Sequence, residues 1–130
     1  MYSAALMLAA MEKHCSVVKV LLQQQADVRF QDSKGISALM FAVLSGSIAC
    51  VKALLKAIEQ TDRALLDGQV DGEGNTALLH AAAAGNADVL SLLLLHGADP
   101  KRRNYKGQDA EALAASYDRS EIVNLLAELQ

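Results

Sequence analysis

A short segment recurs along the chain, and the spacing of its copies restricts the fold more than any other feature. Ala4-Ala-Leu-Met-Leu-Ala-Ala is followed by Ser37-Ala-Leu-Met-Phe-Ala-Val and Thr76-Ala-Leu-Leu-His-Ala-Ala, and Asp109-Ala-Glu-Ala-Leu-Ala-Ala is a weaker fourth copy. The copies start 33, 39 and 33 residues apart, so two intervals share one period and the middle one carries six extra residues. A repeat of this length is one supersecondary unit that buries its apolar face only by stacking on its neighbours. A second element follows each copy at a fixed distance: Val17-Val-Lys-Val-Leu-Leu, Cys50-Val-Lys-Ala-Leu-Leu, Val89-Leu-Ser-Leu-Leu-Leu and Ile122-Val-Asn-Leu-Leu. Apolar residues at i, i+3 and i+4 mark a helix that buries one stripe. Each unit therefore predicts two short helices. The chain is 52% hydrophobic but only 4% aromatic, so its core has to be built from Ala, Leu, Val and Met, which favours close-packed helices over sheet.

The connections carry turn chemistry. Asp32-Ser-Lys-Gly-Ile-Ser, Asp71-Gly-Glu-Gly-Asn-Thr and Asn104-Tyr-Lys-Gly-Gln-Asp each place Asp or Asn three residues before Gly. Asp and Asn bond the backbone two residues on, and Gly accepts a positive φ, so each is a tight turn. Ser37, Thr76 and Asp109 then stand where a helix N-cap belongs. Gly46 and Gly85 fall between the paired helices, where a left-handed cap ends the first. This pattern resembles the ankyrin repeat, whose signature opens Asp-x-x-Gly-x-Thr-Pro-Leu-His-x-Ala-Ala. Gln25-Ala-Asp-Val and Gly97-Ala-Asp-Pro, after the second helices of repeats one and three, fit the same family. The resemblance implies an all-α solenoid of stacked helix-turn-helix pairs joined by tight, β-hairpin-like loops. The whole chain, 1–130, reads as one domain, with repeats at approximately 2–31, 32–70 (including the insertion), 71–103 and 104–130.

The chain also departs from the family pattern. The signature Pro is Ala5, Ala38, Ala77 and Ala110, and the signature His is Met7, Met40, Leu79 and Ala112. The array is thus expected to lean on apolar packing rather than on a histidine ladder. Lys13 and Asp118 replace the inter-helix glycine in the end repeats, Ile58 replaces the glycine after the second helix of repeat two, and the first repeat lacks its opening turn. The insertion falls within Ala57–Val70. Either the second helix runs on through Glu59, or Thr61 caps a separate turn carrying Leu65 and Leu66. A solenoid needs polar ends. Asp109, Glu111, Asp118, Arg119, Glu121, Asn124 and Glu128 provide one, whereas Tyr2–Met11 is almost wholly apolar. That N-terminal face is a modest exposed patch, the cut edge of a longer protein, or a surface that pairs with another copy or domain.

Little points to catalysis, and an enzyme is not expected. No His/Cys set has zinc spacing, Gly72 and Gly74 lack the strand and lysine of a phosphate loop, and no cofactor motif is present. His14 occupies a position that often holds a structural His in this family, His80 reads as packed or edge-bonded, and His96 lies near a helix C-terminus, where positive charge is mildly favoured. Cys50 reads as a small core residue. Cys15 and Cys50 lie in helices of different repeats and are expected to remain unpaired thiols, which suits a reducing compartment and points to the cytoplasm without separating it from the nucleus. No apolar run is long enough for a membrane span, and Met1–Met11 lacks the basic flank of a secretory signal. The net charge of −3 argues against nucleic acid as a partner.

The resemblance implies a module that binds another protein through its turn tips and the concave side of its first helices. By position these residues are Lys34 and Ile36, Glu73 and Asn75, and Tyr105, Lys106 and Gln108 at the tips, with Met11, Leu44, the Ala83–Ala84 hollow and Tyr117 on the helices and Arg103 just before the last turn. Tyr, Arg and Met are favoured interface anchors. The cluster Lys101-Arg-Arg with Tyr105 and Lys106 is either a solvated connector or a docking point for an acidic segment. The alternative is an ankyrin segment of a larger signalling protein, such as a kinase, that contacts a neighbouring domain or another copy of itself.

Overall fold

The computed structural model describes residues 2–129; Met1 and Gln130, the outer limits of the expected domain, lie outside them. The described helices form four pairs: α1 (Ser3–Met11) with α2 (Cys15–Gln23), α3 (Ala38–Ser45) with α4 (Ile48–Thr61), α6 (Ala77–Ala84) with α7 (Ala87–Leu95), and α8 (Ala110–Ser116) with α9 (Ser120–Ala127). The single-turn α5 (Leu65–Gly68) follows α4. Helices this short are marginal in isolation, so their stability comes from stacking. The first helices pack in a row, α1 on α3 on α6 on α8, and the second helices form a parallel row behind them. Alanines 10, 42, 81, 82 and 114 are fully buried in the first row and let the helices approach closely, while Leu54, Leu90, Leu93 and Ile122 fill the space between rows. Among the described residues the one strand-like contact is an antiparallel bridge from Gln31 to Ser37 across the first turn.

The expected caps form. Ser37, Thr76 and Asp109 accept hydrogen bonds from the amides of Met40, Leu79 and Ala112 at 3.2, 3.3 and 2.9 Å. Gly46 and Gly85 close α3 and α6 in the left-handed region. Lys13 and Asp118, which stand where the family has glycine, take the same conformation at φ 62° and 58°. The turn geometry therefore persists without glycine, at some cost in backbone strain.

The insertion realises both readings of its sequence. The second helix of the pair continues to Thr61, and Asp62, rather than Thr61, opens the separate turn by accepting from the Ala64 amide at 3.0 Å. That turn delivers Leu66 to the core. Gln69 is buried, and its side-chain amide donates to the carbonyls of Val28 and Arg29 at 3.0 and 3.1 Å, tying the insertion to the first repeat.

One expectation is overturned. Cys15 and Cys50 are joined by a disulfide, with their Cα atoms 4.9 Å apart. Stacking sets α2 beside α4 in register. Positions nearly equivalent in neighbouring repeats therefore meet across the interface, although 35 residues separate them along the chain. The pairing also removes the argument that unpaired cysteines gave for a reducing compartment. No described helix is long and apolar enough to cross a membrane.

The two ends differ as their sequences suggest. Val17 is 46% exposed, whereas its counterparts Cys50, Val89 and Ile122 are fully buried against a preceding repeat. Leu8 and Val20 are likewise exposed. At the other end Asp118, Arg119, Glu121, Asn124 and Glu128 face solvent.

Candidate functional site

The three turns form a ladder along one edge of the stack. Each begins with a side-chain oxygen that accepts two backbone amides: Asp32 from Lys34 and Ile36, Asp71 from Glu73 and Asn75, and Asn104 from Lys106 and Gln108, all at 2.9–3.0 Å. Successive turns are then joined to one another. The Gly72 amide donates to Lys34 O at 2.9 Å, the Tyr105 amide to Glu73 O at 3.0 Å, and the Asn104 side-chain amide to Asn75 Oδ1 at 3.0 Å. A Cβ added at Gly35 would stand 2.7 Å from Asp71 Cα, and one at Gly74 would stand 2.6 Å from the Tyr105 ring, so both turns need glycine for closeness as well as for positive φ. The result is a stiff row of tips.

Between repeats three and four this row overhangs a hollow of about 230 Å³. Its floor is Leu79, Ala83 and Leu113; Glu73, Asn75, Lys106 and Gln108 line the turn side, and Tyr117 stands at the helix side. Asp71 closes one wall, with Oδ2 held 2.9 Å from His80 Nε2. An apolar floor under a ring of amides, two carboxylates, an ammonium and a phenol suits a side chain or short peptide segment. Among the residues lining it there is no Ser, Thr or Cys to act as a nucleophile beside His80. Among the described residues no group of three His, Cys, Asp or Glu side chains could hold a metal ion.

Six of the thirteen residues singled out from the sequence meet in this hollow: Glu73, Asn75, Ala83, Lys106, Gln108 and Tyr117. Tyr105 lies against Gly74 and leaves 74% of its surface exposed; Arg103 is exposed just before it. Lys34, Met11 and Leu44 are exposed further along the stack, and Ile36 is half-buried in the first turn. Asp71, His80, Leu79 and Leu113 are lining residues that were not picked out as contacts. Asp71 was legible only as a turn former, and His80 as a packed or bonded histidine, because their meeting depends on the turn folding back over α6. Arg119 donates Nε–H to Ala83 O at 3.0 Å, at the C-terminal end of α6.

A family model for ankyrin repeats in three copies matches residues 6–104 and again 62–130. The chain is 30% identical over 116 residues to a Treponema pallidum (strain Nichols) protein named for its ankyrin repeats, covering 89% of this chain and 37% of that protein. It is 38% identical over 89 residues to ankyrin repeat domain-containing protein 13C-A of Xenopus laevis, covering 68% of this chain and 16% of that protein. It is 32% identical over 114 residues to the inactive serine/threonine-protein kinase TEX14 of Mus musculus, covering 85% of this chain and 7% of that protein. The chain thus spans well under half the length of each of these three relatives. With a matching repeat along nearly its full length, stacked helix pairs and a ladder of capped turns, the chain belongs to the ankyrin repeat family.

Proposed function

We propose that residues 1–130 act as one array that binds another protein through the hollow between repeats three and four and the row of turn tips beside it. The observation that carries this reading is the exposed phenol of Tyr117, 56% accessible, beside a floor of Leu79, Ala83 and Leu113 and opposite Lys106 and Glu73. Tyr105 and Arg103 extend the contact surface beyond the hollow, and Lys34, Ile36, Leu44 and Met11 extend it toward the first repeat. Lys101, Arg102, Arg103 and Lys106 favour an acidic stretch in the partner. Because the TEX14 match covers only a small part of that kinase, the same surface could equally serve a neighbouring domain of a longer chain. Aromatic and arginine anchors each carry about 2 kcal/mol or more of binding energy. Tyr117→Ala and Arg103→Ala are therefore expected to weaken a partner captured from the source cells by tenfold or more in titration. If both variants retain every partner at wild-type affinity, the surface is wrongly placed.

A second reading rests on the opposite end. Leu8, Val17 and Val20 are exposed there at positions that inner repeats cover, so we propose that this face can pair with a second copy. Light scattering over a concentration series is expected to show a dimer that Val17→Asp converts to monomer. A wild-type chain that stays monomeric throughout removes this reading.

A further inference from the structure

The outer face of the first two repeats carries a groove that is independent of the concave hollow. It runs between α2 and α4. Its floor is Leu22, Ala53 and Ala57, all half-buried, and Lys19 and Lys56 rise on either side with Gln60 beyond them. Beyond Leu22 the groove continues over Ala26 and Val28 to Arg29, so that hollows of about 490 and 420 Å³ share Leu22, Ala57 and Gln60. The insertion creates this shape. It lengthens α4 to 14 residues against 9 in α2, so the last turn of α4 overhangs the loop that follows α2. Gln69 pins that loop through Val28 and Arg29, which keeps the walls apart and fixed.

Comparison with the next pair of outer helices shows that the opening is local. Between α4 and α7, His96 Nδ1 and the Glu59 carboxylate meet and bridge the two helices, a contact that holds the Glu59 carboxyl below its ordinary range. No side-chain bridge of this kind crosses from Lys19 to the facing residues of α4, and Lys19 and Lys56 have no ion-pair partner among the described residues. Asp27 is the one carboxylate lining the groove, and its Oδ1 is occupied by the Arg29 amide at 2.8 Å. In a chain of net charge −3, a groove edged by Lys19, Lys56 and Arg29 over an apolar floor is a local reversal of sign.

We infer that this groove docks an acidic amphipathic helix of a partner protein. The groove runs along two parallel helices, so an occupant lying in it lengthwise continues the packing of the outer row. Ala53 and Ala57, one turn apart, leave room for the occupant's leucine-sized side chains. The unpaired lysines on the rim select glutamate or aspartate flanking that apolar stripe, and at such a rim charge sets specificity and association rate.

The test uses a fluorescein-labelled peptide of about four helical turns with one leucine stripe flanked by glutamates, titrated into the full chain and followed by anisotropy. Saturable, salt-sensitive binding is expected. It should weaken tenfold or more in Lys19→Glu/Lys56→Glu, be blocked by Ala57→Leu, and be unchanged in Tyr117→Ala, which isolates this groove from the concave hollow. A lysine-flanked version of the peptide should bind the double variant instead. Circular dichroism and thermal melts confirm that the variants remain folded. Four results would overturn the inference: no saturable binding, equal binding to the double variant, equal binding by a peptide of the same composition with its stripe scrambled, or a preference for phosphatidylserine vesicles over the peptide.

Discussion

Asp71→Ala is expected to destabilise the fold by about 3 kcal/mol, while Asp71→Asn should cost less than about 1 kcal/mol. The carboxylate is 8% exposed and has three duties. Its Oδ1 accepts the amides of Glu73 and Asn75 at 2.9 Å each, and its Oδ2 meets His80 Nε2 at 2.9 Å. Truncation to alanine leaves the amide of the half-buried Asn75 without its acceptor, and such an orphan costs about 1–3 kcal/mol. Glu73 is exposed, so water can replace the acceptor for its amide, and the lost contact to His80 brings the total to about 3 kcal/mol. Asparagine keeps the oxygen that matters. The molecule already contains this experiment, since Asn104 accepts the amides of Lys106 and Gln108 at 3.0 Å in the last turn. The effect should also spread, because the Asp71 turn is bonded to both neighbours through Lys34 O and the Tyr105 amide. Urea unfolding of both variants settles the matter: equal losses would show that the turn does not depend on this oxygen.

Features set by residues within one repeat were legible in the sequence, and features set between repeats were not. The caps at Ser37, Thr76 and Asp109 and the Asp and Asn turns each follow from a side chain acting on backbone within four residues, and the helix break at Gly85 follows from the positive φ that glycine accepts. Even Lys13 and Asp118 could be assigned to glycine positions, because the period alone located them. The Cys15–Cys50 bridge, the Asp71–His80 contact and the two bonds of Gln69 are different. They join residues 35, 9 and about 40 apart, and each depends on how one repeat settles on the next or how a turn folds back over its helix. Side-chain periodicity states that repeats stack but not the offset between facing residues, and a shift of one residue would have set Cys15 against a different neighbour. The same limit applies to the site. Tyr117 and Lys106 were assigned to the proposed surface by position, whereas the floor formed by Leu79 and Leu113 reads as ordinary core.

Removing the disulfide should have an effect as large as Asp71→Ala but in a different place. Closing a loop of 35 residues restricts the unfolded chain by about 3–4 kcal/mol on loop-entropy grounds, so reduction is expected to lower the melting temperature by roughly 10 °C. The bond lies where the array is weakest. Neither α1 nor α2 has a side-chain cap, and Lys13 holds a positive φ between them. Within residues 1–130 the first repeat contacts one neighbour instead of two, so in that span it frays first unless something holds it. The bridge fastens α2 to α4 and so makes fraying of repeat one cost part of the stability of repeat two. Cys15→Ser/Cys50→Val is the suitable variant, since Cys50 is fully buried and its counterparts are Val17, Val89 and Ile122, whereas Cys15 is only half-buried beside Ser47. Hydrogen exchange should then show protection lost first in α1 and α2, with α6 to α9 little changed. A uniform loss across all four repeats would mean that the bridge stabilises the array as a whole. An unchanged melting temperature after reduction would mean that the stacking of repeat one is sufficient without it.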